Sequence, residues 1–129
     1  MEAIKLNILL SEKKELIKIG TSLVKQKYGN IYDCSSFVRG IYQQVGLNSD
    51  FNNQPILSLE DIFKEENIGY LCFLKNKKYI QNLYRFSHIG IIFPEQNLLH
   101  YTRYFGEPNV REVHLTPILK ILEVYNFVT

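Results

Sequence analysis

An α+β domain with an antiparallel sheet is the fold class this chain predicts, and two observations carry it. Apolar residues recur at helical spacing up to about residue 63, and after Gly69 the pattern changes to short runs of β-formers separated by turn residues. Helices first and then a run of strands is the order of an α+β layer structure. A third observation sets the scale. The chain has 129 residues, 46% of them hydrophobic and 22% charged, which is enough for one domain with its own core.

The elements follow in order. Ser11 is the expected N-cap of a first helix over 12–27, with Glu12 and Glu15 in its first turn and Leu16, Ile19, Leu23 and Val24 on one face. Tyr28-Gly29-Asn30 is expected to break it. A second helix begins near Cys34, carries Phe37, Val38, Ile41, Tyr42 and Val45 at spacings of three and four, and ends at Gly46. Residues 47–56 read as a loop, and Ser58 as the cap of a short helix through Phe63. Strands are expected at 70–75, 86–93, 98–104 and 110–115. Turns are expected at Lys75 to Lys78, at Pro94 to Asn97 and around Gly106 and Pro108. The apolar 118–128 segment is ambiguous, with a strand favoured for Leu122 to Phe127.

Composition excludes several function classes. A net charge of +2 with scattered basic residues leaves no nucleic-acid footprint. No stretch approaches the ~20 apolar residues of a membrane span. The first residues lack the apolar core and cleavage site of a signal peptide. The expected location is therefore the cytoplasm, or outside the cell by a non-Sec route as an effector or lytic enzyme. Two cysteines, Cys34 and Cys72, allow one disulfide but form no disulfide framework. A zinc site is disfavoured, because the close-spaced ligand pairs are absent.

The chemistry concentrates in Asp33-Cys34-Ser35-Ser36. Asp33 is placed to cap the second helix, which puts Cys34 in its first turn. There the macrodipole and the free N–H groups favour a thiolate and can hold an oxyanion. The competing reading is a buried structural cysteine in line with Val38 and Ile41. Two histidines tip the balance. His88 heads the apolar run FSHIGIIF, and His100 follows twelve positions later in LLHYTRY. A histidine inside an apolar strand is costly unless paired, and two on adjacent strands can pair. A thiol, a base and a group orienting that base make up the constellation for nucleophilic catalysis. Pairing demands a particular hairpin. A two-residue turn at Glu95-Gln96 would put the two histidines on opposite faces, so an odd-length loop or a bulge is required.

These residues resemble the NlpC/P60 family of papain-like cysteine peptidases. DCSSFV is similar to that family's nucleophile segment, HIGIIF to its base strand, LLH to the segment ending in its third polar residue, and GYLCFL to the strand before the base. Ser36 stands where the family usually has glycine and Tyr70 where it has aspartate. The resemblance implies a papain-like fold with Cys34 as nucleophile, His88 as base and His100 as orienting residue. Asp33, Ser35, Tyr28 and Tyr32 complete the expected oxyanion and substrate-binding set. It also implies a hydrolase of peptide amide bonds, acting on peptidoglycan stem or cross-link peptides of γ-D-glutamyl type; a monomer is favoured, with the oligomeric state left open. It needs no metal or organic cofactor. Deamidation, transglutamination or lipid acyl transfer on the same scaffold, or an inactive binding module, are the alternatives. Cys72, in an apolar strand, is expected to be buried and reduced.

Overall fold

The computed structural model describes residues 7–29, 33–55, 57–77, 87–103, 105 and 110–127. Its helices are α1 (Leu10–Leu23), α2 (Cys34–Val45) and α3 (Ile118–Val124), with 3-10 turns at Phe51–Asn53, Asp61–Phe63 and Glu65–Asn67. The strands β1 (Leu71–Asn76), β2 (His88–Phe93), β3 (Asn97–Thr102), β4 (Glu112–Pro117) and β5 (Tyr125–Phe127) form one antiparallel sheet in the order β4-β3-β2-β1-β5. The class is α+β, as the helix-then-strand order predicts.

Both faces of the sheet are covered. Odd-numbered side chains of the central strands, among them Ile89, Ile91, Leu99 and Tyr101, pack with Val113 against Phe37, Val38 and Ile41 of α2. Even-numbered ones, among them Cys72, Leu74, Ile92 and Leu98, pack against Ile62, Ile68 and the α3 residues Ile118 and Ile121. Burial of side chains of this size stabilises by about 1.5–3 kcal/mol each before entropy is counted, so the two layers fix where each strand end lies.

The α1 boundary differs from the sequence expectation. The helix starts at Leu10, and the Glu12 carboxylate accepts the Leu9 amide at 2.9 Å, so Leu9 rather than Ser11 is the N-cap. It ends at Leu23 because Lys25 turns left-handed at φ 74°. Gly20 sits inside it for a packing reason: a Cβ there would lie 2.5 Å from Phe93 and 2.6 Å from Leu99. α2 ends as expected, with Gly46 left-handed at φ 84°. The Ser58 hydroxyl accepts the Asp61 amide at 3.2 Å, but the turn it supports is 3-10 rather than α.

The C-terminal strand expected over Leu122 to Phe127 is half met: 122–124 are helix and Tyr125–Phe127 are strand. Ile118 and Ile121 are both buried, three apart, and α3 hands over to β5 only at Tyr125. β4 runs two residues past the expected end, to Pro117. The turns expected at Lys78 and at Gly106 and Pro108 lie outside the described residues.

The β2–β3 hairpin has the parity the histidine pair needs. Phe93 pairs with Asn97, Ile92 with Leu98 and Ile91 with Leu99, so the loop is the three residues Pro94, Glu95 and Gln96. Glu95 and Gln96 both take left-handed conformations, at φ 62° and 60°. Carried down the strands, this register sets Gly90 opposite His100, and His88 shares their face two residues earlier.

Candidate active site

A cavity of about 340 Å³ opens at the end of the sheet where β2 begins and β1 and β3 finish. The N-terminus of α2 brings Asp33, Cys34 and Ser35 to it. The strand ends bring Asn76, Ser87, His88 and residues 101–103, and Arg111 and Tyr125 complete the lining.

The first turn of α2 is built as its sequence indicates. Asp33 is extended, at φ −112° and ψ 176°, and its carboxylate accepts the Ser36 amide at 2.7 Å. Its carbonyl accepts the Phe37 amide at 3.1 Å. Of the four amides that open a helix without intrahelical partners, Asp33 satisfies that of Ser36, and Cys34 and Ser35 line the cavity. Asp33 is exposed, and the Ser36 amide holds its carboxyl below the usual range. Asp33 therefore acts on the helix rather than on an oxyanion, which its charge would repel. The Ser36 side chain is half-buried on the helix.

Cys34 is half-buried and free. The Ile89 amide and the amide and hydroxyl of Ser35 lie close enough to the thiol to favour its ionised form. Burial nevertheless dominates and pushes the thiol above its ordinary value, with the Asp33 charge adding to the rise. The helix N-terminus alone predicts a lowered thiol, so this is a correction: the desolvation that comes with packing against β2 outweighs the dipole. Cys72 is buried at 3% exposure and free, with its thiol pushed up to about 12 by burial.

The histidines meet. His88 Nε2 lies 2.8 Å from His100 Nδ1. The His88 ring stacks on Tyr125, with centroids 4.6 Å apart and planes at 14°. His88 and His100 are 4% and 0% exposed. Burial lowers the His88 pKa to about 3, and burial together with the neighbouring His88 and His114 lowers that of His100. Both rings are therefore neutral at pH 7. His100 Nε2 continues the chain to Thr116 Oγ1, at 2.8 Å on β4. With Nε2 engaged by His100, Nδ1 is the other ring nitrogen of His88.

Tyr28 does not line the cavity. Its ring packs 5.7 Å from Tyr101 and 6.4 Å from Phe37, and its amide donates to the Tyr101 hydroxyl at 3.0 Å. Tyr101 and Tyr125 are the tyrosines that do line it. Tyr32 lies outside the described residues. Sequence reasoning missed Thr116, Tyr125, Arg103 and Arg111. Thr116 falls just beyond the strand expected over 110–115, and Tyr125 was hidden by the helix–strand ambiguity of its segment. Two arginines flanking a Gly/Pro-rich turn were the one available signal for a charged site rim. Among the described residues no group of three or more His, Cys, Asp or Glu side chains is placed to hold a metal ion, and no helix is long and apolar enough to cross a membrane.

No protein-family profile matches this chain, and no curated protein matches it in sequence. Its fold is that of a solved structure, an NlpC/P60 family protein from Bacillus cereus ATCC 10987, with a TM-score of 0.60 and 20% identity. The match covers 91% of this chain and 40% of that one, so this chain spans less than half the length of that neighbour.

Proposed function

We propose that this protein is a cysteine hydrolase of peptide amide bonds, with Cys34 as nucleophile, His88 as base and His100 as the residue that orients His88. The observation that carries the reading is the 2.8 Å His88 Nε2–His100 Nδ1 contact beside a cavity that Cys34 shares. A histidine pair alone has a structural explanation. A pair of which one ring lines the same cavity as a first-turn cysteine has the parts of an acyl-transfer site.

The resting pair is a neutral thiol and a neutral imidazole, since burial raises one and lowers the other. His88 Nδ1 takes the thiol proton as the sulphur attacks the carbonyl. The imidazolium so formed keeps its Nε2–H on His100 and its face on Tyr125. The first-turn amides of α2 hold the oxyanion, in a site that is partly withdrawn from water. His88 then gives the proton to the leaving amine. Water deprotonated by His88 releases the acyl group from the thioester.

The substrate class follows from the lining. Asn76, Ser87, Thr102, Arg103 and Arg111 are polar, and no aliphatic side chain is among the described lining residues. That favours a peptide over a lipid acyl chain. Two arginines at the rim favour a peptide that carries carboxylates. Peptidoglycan stem or cross-link peptides with a γ-D-glutamyl bond have that chemistry, and the fold shared with an NlpC/P60 protein supports the same choice. The test is digestion of purified peptidoglycan with mass spectrometry of the released peptides. Wild type should release peptides that Cys34→Ala does not. Identical products from both would refute the hydrolase reading and favour the binding module.

A further inference from the structure

We infer that Thr116 is a positioning residue for this site: by accepting the Nε2–H of His100, its hydroxyl fixes the tautomer of both buried histidines and leaves His88 Nδ1 unprotonated. The inference rests on the reading of His88 as the base for Cys34.

The argument is a count of protons. His88 and His100 are buried and face each other through one N···N contact of 2.8 Å. Two neutral imidazoles in that contact carry one proton each, and one of those protons must lie between them. Only two arrangements satisfy this. In the first, His88 is protonated on Nε2 and donates to His100 Nδ1, so His100 carries its proton on Nε2. In the second, His100 Nδ1 donates to His88 Nε2, so the His88 proton sits on Nδ1. The first leaves His88 a lone pair for the Cys34 thiol. The second puts a proton where the base must be.

The far end of the chain selects between them, and Thr116 is that end. Its Oγ1 lies 2.8 Å from His100 Nε2. Thr116 is buried at 6% exposure, so water does not compete freely for that nitrogen. The β3–β4 register pairs Leu98 with Thr116 and His100 with His114, so the threonine reaches His100 diagonally on the same face. His114 is the other polar neighbour, but its ring centroid is 6.3 Å from that of His100, and its Nε2 is turned to Glu112 at 3.4 Å. A hydroxyl can accept or donate. As an acceptor it holds the His100 proton on Nε2 and thereby the first arrangement, the only one in which the opposite end can receive a proton from the thiol.

Long-range ¹H–¹⁵N spectra of histidine-labelled protein read the tautomers directly, and His114→Asn assigns one of the three rings. Wild type should show His88 and His100 both protonated on Nε2. Thr116→Val, which keeps the shape and removes the acceptor, should move both protons to Nδ1, while Thr116→Ser should keep the wild-type pattern. Thr116→Ala replaces the valine variant where that does not fold. Peptidoglycan release should fall in Thr116→Val by about 10²-fold in kcat, the low end of what a positioned base contributes, with KM little changed, and Thr116→Ser should restore it. A wild-type His88 protonated on Nδ1 overturns the inference. So do unchanged tautomers in Thr116→Val, or Thr116→Ser behaving as Thr116→Val. The spectra need no substrate, so a failure of the peptidase reading would appear as absent digestion while the tautomer result stands by itself.

Discussion

Gly90→Ala should damage the site without touching any of its polar groups. Gly90 stands between His88 and Ile92 on the even face of β2. A Cβ there would meet Leu98 Cγ at 2.6 Å, Leu98 Cδ2 at 2.7 Å and the Leu99 carbonyl oxygen at 2.9 Å. Carbon atoms pack at roughly 3.5–4.0 Å, so β3 would have to retreat by about 1 Å. Leu98 cannot turn away, because it is fully buried, and the Leu99 oxygen is backbone. Overpacking of this kind costs about 1–3 kcal/mol. His100 is two residues along the displaced strand. A retreat of that size takes its 2.8 Å contact with His88 beyond the ~3.2 Å limit of a good hydrogen bond. Misplacement by about 1 Å at a reacting group can lower turnover about 10²-fold. Equilibrium urea denaturation and peptidoglycan release, measured on the same preparations, check both parts. Gly46→Ala is the control: it is strained at φ 84°, has nothing within 4 Å and lies far along α2, so it should lose stability and keep turnover. A Gly90→Ala protein with wild-type stability and wild-type turnover would refute the reasoning.

Two further outcomes are expected. His88 has its pKa lowered from 6.5 to about 3 in the fold, so below 6.5 the unfolded chain binds a proton that the folded one refuses. Stability at neutral pH should therefore fall with acid, by about 1.4 kcal/mol per pH unit for this group across that window, with His100 steepening the loss. Denaturation midpoints between neutral pH and pH 4.5 check it, and a slope unchanged in His88→Gln would count against it. The two thiols should separate in labelling with iodoacetamide. Cys34 is half-exposed and should react in the native protein only as pH rises above the ordinary thiol value, while Cys72, pushed up to about 12 and buried, should react only after unfolding. Native labelling of Cys72, or rapid labelling of Cys34 at pH 6, would contradict the burial described for them.

Much of this site was legible because it depends on local rules. A carboxylate before an apolar run at spacings of three and four is a cap before a helix, and Asp33 caps α2 through the Ser36 amide. Strand parity is just as local: the demand for an odd-length hairpin between His88 and His100 is met by the three residues Pro94 to Gln96. What was not legible depends on tertiary neighbours. Gly20 looks like a weak point in a helix, and only the approach of Phe93 and Leu99 explains it. Tyr125 stacks on His88 only because β5 returns along the edge of β1. Thr116 gains its role from a diagonal contact across β3 and β4 that no spacing announces. The Cys34 thiol was misread for the same reason: a dipole belongs to the helix and can be read from sequence, whereas desolvation belongs to the strand packed against it.

The central claim is that an amide bond is cut through a thioester on Cys34 with His88 as the base, and interception of that thioester tests it most directly. Peptidoglycan digested in the presence of hydroxylamine should yield peptide hydroxamates at the cleaved carbonyl, identified by mass spectrometry, with wild-type protein. Cys34→Ala and His88→Ala should yield none. Cleavage by wild type that gives only free carboxylates at every hydroxylamine concentration, or hydroxamates that persist in Cys34→Ala, would contradict it.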